Sequence, residues 1–143
     1  MTIPQISVFL ENKAGQLADI TGILSQNQVN MRAINIAETT DYGVLRLIVD
    51  DAAKASSILL EQGFILTMTP VVGVAVPDTP GGLSKVLSVI SGAEIDVEYM
   101  YSVFGQKDGQ AFMIFRVADT EGLTALFKEH GISRIKGEDL GIH

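Results

Sequence analysis

Gly15 and Leu17 lie 66 residues before Gly81 and Leu83, and Asn30 lies 66 before Asp96. Further along, Asp51 precedes Asp119, and Gly63 precedes Gly131, by 68. Two extra residues in the second hairpin turn account for the change of register. The chain repeats itself, and each copy must fold around a core of its own. Units of about 65–70 residues bury only around 60% of their unfolded surface, so each would be marginal alone.

The apolar pattern gives each copy the same order. In the first, Gln5–Leu10 reads as a strand and Glu11–Leu17 as a loop, and Leu17, Ile20, Ile23 and Leu24 recur at helical spacing. Met31–Thr39 and Val44–Val49 read as strands around the turn Thr40-Asp41-Tyr42-Gly43. Asp50-Asp51 opens a second helix marked by Ala55, Ile58 and Leu59. Gly63 is placed to end it in the left-handed conformation, before a last strand at Phe64–Met68. In the second copy Val71–Val76 is a strand, Pro77–Leu83 a loop, and Leu83, Val86, Leu87 and Ile90 a helix face. Val97–Phe104 and Gln110–Val117 flank the turn Gly105–Gly109. Asp119 starts a helix with Leu123, Leu126 and Phe127 inward, and Gly131 ends it before Ile132–Ile135.

The boundary falls at Thr69-Pro70 with no flexible linker, giving domains 1–69 and 70–143. A βαββαβ order with short loops predicts an α+β fold: two ferredoxin-like units, each an antiparallel four-stranded sheet with both helices on one face. Phe112 and Ile114 alternate with Met113 and Phe115, and Val72, Val74 and Val76 with Gly73 and Ala75. Strands apolar on both sides predict that the helix-free face is covered too, and hence a homodimer.

Composition narrows the function. The net charge is −7 and the pI about 4.6. The ten basic residues form no run, so nucleic acid and anionic membrane are not expected partners. Without cysteine there is no disulfide, thiolate nucleophile or thiolate metal site. Two histidines, with Glu138-Asp139, lack metal-ligand spacing, so neither a metal nor a cofactor is expected. The N-terminus does not read as a signal peptide, and no apolar run approaches the roughly 20 residues that span a bilayer. A cytoplasmic protein is expected.

Two loops carry the candidate chemistry. Glu11-Asn12-Lys13-Ala14-Gly15-Gln16-Leu17 and Asp78-Thr79-Pro80-Gly81-Gly82-Leu83 each place glycine where a helix begins. Glycine there lets a ligand approach the backbone, and the free amides of the helix start suit a carboxylate. Asn12 and Asp78 would accept from an ammonium group, and Asp96 would add negative charge. Together these groups recognise a zwitterion.

Both loops resemble the first loop of ACT domains: Asp or Asn, any residue, Pro, Gly, any residue, Leu. Val29-Asn30-Met31 and Ile95-Asp96-Val97 resemble that family's second signature, at the start of the second strand. The chain as a whole resembles a stand-alone tandem ACT protein. The resemblance implies a regulatory protein that binds an amino acid between domains, pairing Asn12–Leu17 with Asp96-Val97 and Asp78–Leu83 with Asn30-Met31. The implied ligand-binding residues are Leu10, Asn12, Ala14, Gly15, Gln16, Leu17, Asn30, Met31, Val76, Asp78, Pro80, Gly81, Gly82, Leu83, Asp96 and Val97. Ala14 departs from the family's proline, and Asp78 and Asp96 stand where the first copy has Asn12 and Asn30.

Each feature also has a purely structural reading. Gly15 and Gly81 permit tight turns, Asn12 and Asp78 cap helices, and Asn30 and Asp96 stabilise turns. Leu17 and Leu83 are core residues first. Tyr99 and Tyr101 share a strand face and read as core or interface, and His130 as the edge of the core. No nucleophile motif is present, so no enzymatic activity is expected. The alternative function is a ligand-free interaction subunit of a metabolic enzyme.

Overall fold

The computed structural model describes residues 2–11, 14–38 and 42–142, and side chains throughout these except at 38 and 104–107. The elements run β1 (Ile3–Glu11), α1 (Gln16–Gln26), β2 (Met31–Glu38), β3 (Tyr42–Val49), α2 (Ala52–Glu61), β4 (Leu66–Pro77), α3 (Gly82–Gly92), β5 (Tyr99–Lys107), β6 (Gln110–Arg116) and α4 (Thr120–Glu129), then a 3₁₀ turn at Gly137–Leu140. The fold is α+β, and its hydrogen-bonded strands follow the order β2-β3-β1-β4-β6-β5. The pairs β1–β3, β2–β3, β4–β6 and β5–β6 are antiparallel.

Two compact units are present. One, called the N-terminal unit, comprises Pro4–Thr69 and Leu140–His143; the C-terminal unit comprises Met1–Ile3 and Pro70–Asp139. In the N-terminal unit Ile6 and Val8 of β1 alternate onto the face that meets Leu45, Leu47 and Val49 of β3. Ile20 and Leu24 of α1 and Ala55 and Leu59 of α2 complete that core. In the C-terminal unit Val72, Val74 and Val76 of β4 join Phe115 and Val117 with Val86 and Ile90 of α3 and Leu123 and Phe127 of α4. The Phe115 and Phe127 rings meet edge to face at 6.1 Å.

Three expectations change on inspection. The strands expected at Phe64–Met68 and Val71–Val76 are one continuous β4. Proline lacks a ladder donor, yet Pro70 sits inside that strand exposed, its carbonyl accepting from Arg116 Nη1 at 2.9 Å. The strand expected at Ile132–Ile135 is a short edge. A bridge joins Val74 to Arg134, Ala75 donates to Ser133 and Ile135 donates to Gly73. The five-residue turn expected at Gly105–Gly109 tightens to Asp108-Gly109, because both residues accept positive φ (55° and 73°), as a two-residue hairpin demands. Thr39, Thr40 and Asp41, read as strand end and turn, lie outside the described residues.

The alternating pattern that predicted a homodimer has another explanation. Ile3, Ile48, Val71, Tyr101, Phe112 and Ile114 belong to neither helix-facing core, yet all are buried within the single chain. A second copy is not needed to cover them.

Candidate functional site

Helices α1 and α3 begin in the same way. Gly15 (φ 87°, ψ −8°) and Gly81 (φ 89°, ψ −9°) both adopt the left-handed conformation, and among the described residues no side chain caps either helix. The other two helices are capped conventionally. Asp51 accepts from the Lys54 N–H at 3.1 Å, and Asp119 from Gly122 at 2.9 Å. At α1 the first return bond runs from Asp19 N–H to the Gly15 carbonyl, and at α3 from Lys85 to Gly81. The amides ahead of that bond, Leu17 and Ala18 in one unit and Leu83 and Ser84 in the other, have no intrahelical acceptor. They sit at the positive end of the helix dipole.

The loop residues take different places around these amides. Asp78 is exposed, and its own N–H donates to the Gly109 carbonyl at 3.0 Å. It does not cap α3. Pro80 and Gly81 are exposed beside it, as are Ala14 and Gly15 in the other loop. Asn12 lies outside the described residues. Gln16 is half-buried, and its Oε1 is enclosed without a hydrogen-bond partner among the described residues. Gly82 is buried, and a Cβ there would collide with the Pro77 carbonyl oxygen. That close approach pins the start of α3 against the end of β4.

The second signature differs between the copies. The Asn30 N–H donates to Asp50 Oδ1, and its carbonyl accepts from the Asp50 N–H, both at 3.0 Å. These bonds run through the Asn30 backbone and the Asp50 carboxylate, and they tie the start of β2 to the end of β3. The position matching Asp50 in the second copy is Ala118, which has no carboxylate to repeat the tie. Asp96 is exposed, and its carboxylate has no hydrogen bond among the described residues.

The apolar members belong to the cores of their own units. Leu10 and Met31 pack against the N-terminal core. Leu83 and Val97 pack against the C-terminal core, and Val76 lies inside it at 3% exposure. Leu17 departs from its core assignment: it is 37% exposed, on the open side of α1. His130 is exposed at the end of α4, where its Nδ1–H donates to the Leu126 carbonyl at 3.0 Å. Tyr101 is buried and Tyr99 half-buried.

Two participants escaped the sequence. Asp50 was read only as a helix start, although an acid at a strand end opposite an Asn-containing turn is a signal for such a tie. Pro77 acts through its carbonyl, which no side-chain pattern reveals; the second glycine of Gly81-Gly82 was the available hint. Among the described residues no group of three His, Asp or Glu side chains is arranged to hold a metal, and no helix is long and apolar enough to cross a membrane.

Comparison with known proteins places this geometry. A family model described as an ACT domain pair matches residues 1–142. A solved protein of Bacteroides thetaiotaomicron shares 36% identity, with a TM-score of 0.91 over 99% of this chain and 96% of that one. The ligand-free regulatory subunit of aspartate kinase from Thermus thermophilus shares 16% identity, with a TM-score of 0.61 over 88% of this chain and 91% of that one. Aspartate kinase from Synechocystis shares 15%, with a TM-score of 0.56 over 95% of this chain and 28% of that one. At such identities the two kinase likenesses concern the fold alone. No curated protein sequence matches the chain.

Proposed function

Because this chain belongs to the ACT domain pair family, we propose that it is a regulatory protein, not an enzyme, whose two ACT domains (1–69 and 70–143) bind a free amino acid. The observation that carries this reading is the pair of helix starts behind the left-handed Gly15 and Gly81, neither capped by a described side chain. A structural turn would use the capping that α2 and α4 already have. These starts instead leave amides without an intrahelical acceptor, and such amides suit the ligand's carboxylate.

The ammonium group would be taken by side-chain oxygens, Asn12 with Asp96 at one site and Asp78 with Asn30 at the other. The ligand would sit where the first loop of one domain meets the second-strand start of its neighbour. Since it touches two domains, it would favour one arrangement of them by its difference in affinity for the alternatives. The sites are unequal. Asn12 pairs with Asp96 in one and Asp78 with Asn30 in the other, and only the second has its strand start tied by Asp50, so their affinities differ.

The output of such a protein is a change in association, with itself as a homodimer or with a metabolic enzyme in the cytoplasm. Surface composition supports this. Among the described residues the exposed large apolar side chains are Phe9, Leu17, Ile36, Tyr42, Leu60, Ile65 and Met68, all in the N-terminal unit. Phe9 and Tyr42 are in ring contact at 6.4 Å, and the Phe9 N–H donates to the Ile65 carbonyl, so three of them form one patch. The same patch favours the second reading, an interaction subunit that holds no ligand.

A thermal-unfolding screen against the twenty amino acids, followed by calorimetry, separates the two. A selective rise in Tm that Asp96→Ala diminishes is the expected result. No rise with any amino acid, after mass spectrometry of denatured protein has excluded a retained ligand, leaves the interaction subunit. Sedimentation with and without the hit then reads the change in association.

A further inference from the structure

The basic residues, dispersed in sequence, gather in the C-terminal unit. A cleft of about 340 Å³ opens between α3 and the end of α4, lined by Lys85, Val89, Gln110, His130, Ile132 and Ser133 among others. A second cleft shares Gly131, Ile132 and Ser133 with it and is lined by Lys128, Arg134 and Lys136. Four of the chain's ten Lys and Arg residues thus border two adjoining hollows, in a protein whose net charge is −7. None of the four has an ion-pair partner among the described residues. All four are exposed, and Asp139 accepts from the Lys136 N–H at 2.9 Å, but the described lining of neither cleft includes an acid, so the charge bordering the hollows favours an anion.

The duplication supplies an internal control. The equivalent cleft of the N-terminal unit lies between α1 and the end of α2 and includes Asp19, Ile23, Gln62 and Phe64. By the registers of the repeat these positions match Lys85, Val89, His130 and Ile132. The apolar walls are kept, while the acid becomes a cation and the glutamine a histidine. Around them Ala75, Gly82 and Ser133 stand where the first copy has Phe9, Gln16 and Ile65, so the second copy is also the smaller in side chains. Since Nδ1 of His130 is engaged by the Leu126 carbonyl, Nε2 is the ring atom left for a ligand.

We propose that this cleft is a second small-molecule site, adjoining the loop site at Gly82 but centred on Lys85, His130 and Ser133, taking an organic anion (a carboxylate or a phosphate ester) with a short apolar body. Lys85 meets the charged group, with Gln110, Ser133 and His130 as hydrogen-bonding partners. Val89 and Ile132 receive the apolar body. The volume falls within the range of small-ligand pockets, about 300–1,000 Å³. The cations of the adjoining cleft add attraction that falls off over a Debye length of about 8 Å at physiological salt. The proposal does not depend on amino-acid binding at the loops.

Amide-resolved NMR of the full ¹⁵N-labelled chain tests it, with 4-methylpentanoate and inorganic phosphate titrated separately at constant ionic strength. Saturable shifts at Val86, Val89, Gly131, Ile132 and Ser133 are expected with at least one probe. Saturation by 4-methylpentanoate identifies a carboxylate seat, and saturation by phosphate alone identifies a phosphate ester. Lys85→Asp and Ser133→Ile install the residues that the first copy carries at these positions, so both are compatible with the fold. Lys85→Asp should weaken binding by at least about tenfold, the scale of one charge-assisted contact. Ser133→Ile should weaken it by occupying space. Shifts that stay linear with both probes, or that persist in Lys85→Asp, overturn the proposal. Shifts confined to Gly81–Ser84 and Asp96-Val97 also overturn it, while supporting the loop site.

Discussion

At Gly81 the backbone stands at φ 89° with open space where a side chain would go, whereas at Gly82 the φ is ordinary and the space is filled. The two neighbours should therefore fail for different reasons. Gly81→Ala adds a left-handed alanine, costing about 1–2 kcal/mol, and Gly81→Asn should recover part of it, since asparagine tolerates that region. Gly82→Ala drives a methyl group into the Pro77 carbonyl, so asparagine cannot relieve it and the start of α3 must move. Urea unfolding of the three variants should rank Gly81→Asn, Gly81→Ala and Gly82→Ala from most to least stable. A Gly82→Ala protein as stable as wild type would contradict the pinned helix start. The sequence shows two adjacent glycines in a loop, which announces a backbone site. It does not show which glycine supplies the angle and which supplies the room, because that depends on a carbonyl five residues earlier.

Helix starts fall into two kinds: α2 and α4 open on a capping aspartate, and α1 and α3 on a left-handed glycine. Asp51 and Asp119 each accept a backbone N–H at the start of a helix. Replacing either by alanine should lower stability by about 1 kcal/mol. Asp78 precedes a helix too, but it caps nothing. Asp78→Ala should leave the ligand-free unfolding midpoint unchanged while weakening amino-acid binding measured by calorimetry. A clear loss of stability in Asp78→Ala would return it to the role of a structural turn residue. At this scale the sequence was most legible where local chemistry decides: Asp51, Asp119, Gly63 and Gly131 all mark helix ends as read, with Gly63 at φ 90° and Gly131 at φ 67°. It was least legible where a partner decides. Pro70 reads as a break, yet β4 runs through it, because what a strand needs from that position depends on neighbours remote in sequence.

Across the whole molecule, sequence proximity misleads in both directions. Lys85 is 43 residues from Lys128, so no run of charge announces that both border adjoining clefts of the C-terminal unit. Apolar residues on both faces of a strand suggested a second chain, although Ile48, Ile114 and Tyr101 are buried in one. Leu140 shows the same effect most sharply. It is 1% exposed and belongs to the N-terminal unit, some seventy residues after the rest of that unit has ended at Thr69. Truncating a buried leucine to alanine costs about 2–5 kcal/mol, from lost transfer energy and the cavity left behind. Because each unit has a core of its own, that cost should fall on the unit Leu140 joins and open it sub-globally. In Leu140→Ala, hydrogen exchange should accelerate at the amides of β1 and β3, such as Val8 and Leu47, more than at Ile114 and Phe115 of β6. Equal acceleration in both sets would mean that the two units unfold as one, and that a ligand stabilising either loop stabilises the entire chain. Unequal acceleration would mean that a ligand confined to one unit protects that unit alone, which makes the exchange pattern a direct readout of which loop it occupies.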